Sequence, residues 1–399
     1  PAAPLALPAA EAMGCASSAA SNAITEAVTI SVLRASMAME KEKETPPPDP
    51  ETIAKEQEER RNAQREELLK QMPNLTAQEV VQNMVLNLPD SIVQEHGCGT
   101  LAAVVLAGGW EPVVTAEGPK AALEAMGMHQ AVAAVQEQGC RLLQLLALRP
   151  EQQAELTGAG AVGAAVKAMQ AHPKEEGVQE QGLAAMHNLA ANHQSNKMKV
   201  AALKGVEAVL KAMDAHPASE AVQEHACWAL HILVPNPTNQ DKIVACGGIL
   251  RIVKAMTNFP SAAEIQKRGV WALCNLAYGH SKNQAVISEK GGIQVVIEAM
   301  TSHAENAEVQ EHGAHALKNL AANNAANRDR ILELQGPQAV LNAMRAHASV
   351  GGVQEQGCWA LRDLVVECPA GKAKIQALGG PGVVQQALGN HADSPSVQK

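Results

Sequence analysis

A glutamine returns along this chain at Gln94, Gln136, Gln179, Gln223, Gln266, Gln310, Gln354 and Gln398, in steps of 42 to 44 residues. Around the first seven stands some version of the stretch VQEQGCWALRDLV, which runs from Val353 to Val365. A unit this short cannot bury an apolar face by itself. Repeated in tandem, it buries that face against its neighbours, so the period predicts a solenoid rather than a globule.

The unit reads as three helices. In the copy that holds Gln310, NQAVISEK (Asn283 to Lys290) predicts a short first helix, and Gly291 with Gly292 a break. IQVVIEAMTSH (Ile293 to His303) predicts a second helix, AENAE a loop, and VQEHGAHALKNLAAN (Val309 to Asn323) a third. Val309, Gly313, Ala316, Leu317 and Leu320 fall on one stripe of that third helix, at the spacing of a buried face. Composition agrees. The chain is 46% hydrophobic but only 2% aromatic, so Ala, Leu, Val and Met must fill the core, and most of these favour helix. No apolar run reaches the roughly 18 to 20 residues of a membrane span. Net charge is −9, of which residues 1–90 carry −6. So weakly acidic a body argues against nucleic-acid binding, which needs a basic footprint.

Cys98, Cys140, Cys227 and Cys358 fill a slot that elsewhere holds Leu183, Val270 and Ala314. Such a slot is small and apolar, so buried thiols in a reducing compartment are expected. The break recurs at Gly118, Gly205, Gly248, Gly292, Gly336 and Gly380, with Ala161 the exception. A sharp turn or positive φ is expected there. Asn196, Asn239, Asn283 and Asn327 stand where first helices begin, a natural N-cap slot.

A short helix, a Gly-Gly turn and two longer helices: this plan resembles the armadillo repeat over roughly residues 76–399. WALCNLAYG (Trp271 to Gly279) looks like the third-helix signature of that family. ISEKGGIQVVIEAM (Ile287 to Met300) looks like its junction of first and second helices. HEAT repeats are the runner-up, but usually lack the Gly-Gly turn. The consensus also looks like the armadillo arrays of large protist scaffold proteins and of leucine-rich-repeat kinases. The resemblance implies an all-α, right-handed superhelical solenoid of about 43–44-residue, three-helix repeats. Seven second-plus-third-helix units are complete. An eighth stops at Val397, Gln398 and Lys399, which predicts a longer natural chain.

In the family, third helices line a concave groove. Residues one, five and nine after each repeated Gln share a helix face. The first slot carries Glu180, Glu224, Glu311 and Glu355, with Lys267 breaking the row. The second holds Trp228, Trp271 and Trp359, and the third Asn188, Asn275, Asn319 and Asp363. Family members use Trp and Asn there to hold an extended peptide, the amide on peptide backbone and the indoles as pocket walls. The resemblance carries that role to Trp271 with Asn275, and to Trp228, Trp359, Asn188 and Asn319. The alternative is that Trp fills a wide spot between neighbouring third helices and Asn bonds a neighbour's loop. A glutamate ladder favours a basic peptide; His187, His231, Lys318 and Arg362 lie nearby and blur that preference.

A second ladder is histidine: His129, His172, His216, His303, His347 and His391, interrupted by Phe259. These mark the ends of second helices, where an imidazole is expected on the last carbonyls. Equivalent residues on packed helices lie roughly 8 to 10 Å apart, too far to share a metal. His312 and His315 lack a completing ligand set, so no metal site and no cofactor is expected. GAGAVG (Gly158 to Gly163) looks weakly like a dinucleotide turn, but no strand precedes it. No catalytic constellation appears.

The front of the chain differs. Residues 1–50 read as a low-complexity segment ending in a Pro-rich linker. Residues 51–75 read as a charged helix that could cap the array, and 76–399 as the array itself. MGCASS (Met13 to Ser18) fits a myristoylation pattern at Gly14, with Cys15 placed for palmitoylation. Doubly acylated armadillo proteins serve as vacuolar and rhoptry-type tethers, and this front end looks like theirs. The expectation is a non-enzymatic, cytoplasmic scaffold for proteins or extended peptides, with nuclear shuttling left open and membrane contact only through acylation. The competing readings are a nuclear-import-like receptor, a lipid-anchored tether, and the armadillo arm of a larger enzyme such as a kinase.

Overall fold

The computed structural model describes residues 49–395, 397 and 398, together with 31, 33, 34 and 36. Gly14 and Cys15 lie outside the described residues. Two compact units divide the chain, 1–68 and 69–399. A polar helix, Pro50–Gln71, begins in the first and has no buried residue. The second unit is helical throughout its repeats, with no strand among the described residues.

In the repeat of Gln310 the helices are Ser281–Glu289, Gly292–Ser302 and Ala307–Ala321. Each sequence-derived boundary is met to within two residues. We number the repeats 1 to 7 from Gln94 to Gln354. Their third helices are Ser91–Leu106, Ala133–Leu146, Glu176–Ala190, Glu220–Leu233, Ala263–Ala277, Ala307–Ala321 and Gly351–Val365. Each packs against the next, and the second helices form a parallel layer of their own. Leu101, Leu143, Met186, Leu230, Leu273, Leu317 and Leu361 recur at one slot and are all buried. Each contributes roughly 2 kcal/mol of apolar burial. Cys98, Cys140 and Cys227 are fully buried, and burial pushes each thiol up to about 12.

The repeated glutamine has a physical job. Its side-chain amide donates to the carbonyls ten and seven residues back, closing the end of the second helix. Gln310 reaches Met300 at 2.8 Å and His303 at 2.9 Å. The same pair of bonds recurs in every repeat, down to Gln398 on Leu388 and His391. Helix C-termini leave carbonyls without intrahelical partners, and burial makes an unpaired one costly.

Three local expectations are corrected. Positive φ falls one residue before the repeated glycine: at Gly291 (φ 84), but equally at Lys204 and Gln335 (φ 62). Gly292 serves closeness instead, because a Cβ there would lie 2.4 Å from Ile287 Cγ2. The recurring Asn is not the N-cap but the third residue inside the first helix. An N-cap needs non-helical backbone; from inside, Asn283 turns back to the Leu276 carbonyl at 2.9 Å and Asn327 to Leu320 at 3.0 Å. The caps are one turn earlier, as at Asn236 and Asn324. Finally, the ladder histidines do not bond their own helix. Each Nε2 reaches a loop carbonyl of the preceding repeat: His129 on Leu88, His172 on Gln130, His216 on Pro173, His303 on Pro260, His347 on Ala304 and His391 on Ala348, at 2.7 to 3.0 Å. A carbonyl only accepts, so Nε2 carries the proton. They are staples between repeats.

Candidate functional site

The third-helix layer gathers the predicted groove residues on one face. Its chemistry is set by what each joint does with them. Trp228 of repeat 4 lies between two neighbours. His187 of repeat 3 stacks on it with ring centroids 4.5 Å apart and planes at 6°. The Arg268 guanidinium of repeat 5 sits over the same ring, 4.0 Å from its centroid. Trp271 is held likewise, by His231 of repeat 4 at 4.0 Å and His312 of repeat 6 at 4.1 Å. Trp359 takes Lys318 of repeat 6 at 5.4 Å and its own helix's Arg362 at 4.1 Å. One rule covers Trp228 and Trp271. The residue eight after the repeated Gln comes from the repeat before, and the residue two after it from the repeat behind. Stacking and cation–π contact favour both arrangements. The chain's own side chains therefore fill the space between successive indoles.

The third slot divides. Asn188 and Asn319 are buried, and their amides donate across the joint to the carbonyls of Gln144 (3.1 Å) and Cys274 (3.0 Å). Asp363 accepts from Arg362 at 2.7 Å. Asn275, beside Trp271, is half-buried, and its side-chain amide has no partner among the described residues.

The first slot is a row of half-buried carboxylates. Burial raises the pKa of Glu180, and Glu137 and Glu176 raise it further. Glu224 is raised by burial and then by Glu264 and Glu220. Glu311 is raised by burial and then by Glu355 and Glu308. None of the three makes an ion pair among the described residues. Lys267 breaks the row: nearly buried, it bridges Glu264 at 2.5 Å and Glu308 at 3.0 Å.

Histidines complete the face. Burial pushes His187 and His231 down to about 3, with nearby His and Arg268 adding to it. Burial likewise takes His312 and His315 down to about 4. His187 Nε2 and His225 Nδ1 are 3.3 Å apart, one donating to the other. These neutral rings are the packing material around the indoles. The sequence placed His187, His231, Lys318 and Arg362 near the groove but missed His225, Arg268 and His312 as its members. Their slot, two after each Gln, was there to be read. No three His, Cys, Asp or Glu side chains gather into a metal-holding group among the described residues.

Such a face, on a stack of three-helix units, defines a class of protein. The chain belongs to the armadillo repeat family: the family model described as LRRK2 ARM repeat matches residues 120–340, more than half of its length. No curated protein sequence matches it. Among solved structures, an engineered protein from the Northeast Structural Genomics Consortium is 23% identical, covering 81% of this chain and 86% of that one, with a TM-score of 0.61. A structure from work on a phosphorylation switch between cadherin and beta-catenin is 16% identical, covering 81% and 65%, with a TM-score of 0.64. A designed armadillo repeat protein in complex with the peptide (KR)4 is 23% identical, covering 61% and 98%, with a TM-score of 0.51. These likenesses fix the fold: an all-α, right-handed armadillo solenoid.

Proposed function

We propose that this chain is a non-enzymatic, cytoplasmic interaction scaffold that holds an extended, basic segment of a partner protein along its third-helix face. The observation that carries this reading is the row of Glu180, Glu224 and Glu311. Their charges are partly desolvated, each is repelled by neighbouring carboxylates, and none of the three makes an ion pair among the described residues. A positive segment would relieve that repulsion, and complementary charge favours recognition. The free amide of Asn275 adds a hydrogen-bonding group for peptide backbone beside Trp271. The indole faces themselves are occupied by His187, Arg268, His231 and His312, so the reading rests on carboxylates more than on aromatic pockets. The designed armadillo protein bound to (KR)4 has the same fold, and that fold is typically non-enzymatic. No described helix is long and apolar enough to cross a membrane. Acylation at Gly14 and Cys15 is a separate proposal, decided by the mass of the N-terminal peptide.

The test is fluorescence anisotropy with a labelled peptide of alternating Lys and Arg. Replacing Glu180→Gln, Glu224→Gln and Glu311→Gln together should weaken binding at least about tenfold and flatten its salt dependence. Undiminished affinity in that variant would refute the reading.

A further inference from the structure

Comparing one joint with the next reveals a second site, walled by first and second helices. Between repeats 4 and 5, Lys242 is the sixth residue of first helix Pro237–Ala245. It donates to the Ala201 carbonyl at 3.4 Å and pairs with the Glu207 carboxylate at 2.9 Å. Glu207 is the third residue of second helix Gly205–Ala215. One joint earlier the lysine is seated the same way. Lys199, sixth in Gln194–Ala202, donates to the Thr157 carbonyl at 3.3 Å. Thr157 and Ala201 are both eighth in their first helices. Yet the position of Glu207 is taken by Gly163, third in Ala161–Ala171. The carboxylate is missing, and Lys199 has no acidic partner among the described residues.

What stands there instead is room. A cleft of about 650 Å³ runs between the second helices of repeats 2 and 3 and the first helix of repeat 4. Leu123, Met126, Val162 and Leu203 give it an apolar wall, and Lys167, also without an acidic partner, lines it with Lys199. The glycines of the GAGAVG stretch are not there for packing. A Cβ at Gly158 or Gly160 would meet nothing within 4 Å, and one at Gly163 only Leu203, at 3.8 Å. A volume of this size, mostly apolar with few polar groups, is typical of small-ligand sites.

We propose that this cleft binds a small amphiphilic carboxylate. Its head group takes on Lys199 the place that Glu207 takes on Lys242, and its apolar body lies along Leu123, Met126, Val162 and Leu203. The carboxylate is the head group the fold itself uses one joint on. One joint on, the lysine of the same slot already makes such a charge-assisted contact, Lys242 with Glu207 at 2.9 Å.

Titration of the whole chain with decanoate, followed by calorimetry, tests this. Gly163→Glu installs the side chain of the neighbouring joint, in open space, and should close the site. Lys199→Met keeps the apolar stem and removes the charge. Gly163→Glu should keep the wild-type melting profile, Lys199→Met should stay folded with a slightly lower melting temperature from loss of the Thr157 bond, and both should weaken decanoate at least about tenfold, the scale of one charge-assisted hydrogen bond. Decanol, with the same body and no charge, should bind comparably weakly to all three proteins. Absence of decanoate binding, binding untouched by either substitution, or equal binding of decanol would overturn the proposal.

Discussion

Two populations of histidine share this molecule and behave differently. The ladder of His129, His172, His216, His303, His347 and His391 is periodic, and each member makes one bond to the repeat before it. His187, His225, His231, His312 and His315 come from three different slots. They crowd repeats 3 to 6 of the third-helix face, around two of its indoles. The first set staples the solenoid and is the same at nearly every joint. The second set differs from joint to joint. In a repeat protein the period records how the stack is held, and departures from it record what one surface does.

That contrast is sharpest in acid. In an unfolded chain an imidazole titrates near 6.5. In the fold His187, His231, His312 and His315 stay neutral down to about 3 or 4. As pH falls below 6.5, the unfolded state therefore takes up protons that the fold refuses, and stability is lost from 6.5 downward. Discounted by about half for partial exposure, the four amount to on the order of 4 kcal/mol between pH 6.5 and 5. The raised carboxylates of Glu180, Glu224 and Glu311 act with the opposite sign, but nearer the carboxylate range. Hydrogen exchange at the two pH values should show repeats 3 to 6 losing protection ahead of repeats 1 and 2. Uniform loss along the array would break the distinction.

A staple is a smaller matter. His303→Ala removes the bond to Pro260 and should cost about 1 kcal/mol in urea unfolding. The smallest effect is a gain. Phe259 stands where the staple is missing, and Phe259→His would face the Pro217 carbonyl. It should add at most about 1 kcal/mol. If His303→Ala were neutral and Phe259→His destabilising, the ladder would be packing rather than bonding.

Much of the fold was legible because it repeats. Seven aligned copies average out local ambiguity, so the helices around Gln310 come out within two residues. What went astray was atomic. A glycine column marks a tight place, but letters alone do not separate a positive φ at Gly291 from the lack of room at Gly292. The Asn column looks like caps because Asn caps helices, and only coordinates show Asn283 turned back onto Leu276. The repeated Gln looked like a register mark, because a buried amide serving two carbonyls leaves no pattern of its own. The groove was legible as a face but not as a set of contacts. Trp228 meets Arg268 from the following repeat and His187 from the preceding one, so its surroundings lie some forty residues away in both directions. Gly14 and Cys15 lie outside the described residues, so acylation there stays an expectation.

The central claim is that the third-helix face, where Glu180, Glu224 and Glu311 make no ion pair among the described residues, is where a basic partner lies. Hydrogen exchange with and without a saturating Lys-Arg peptide tests it most directly. The account predicts added protection in the third helices around Glu180, Glu224, Asn275 and Glu311, leaving the second helices unchanged. Protection confined to the second helices, or none at saturation, would contradict it.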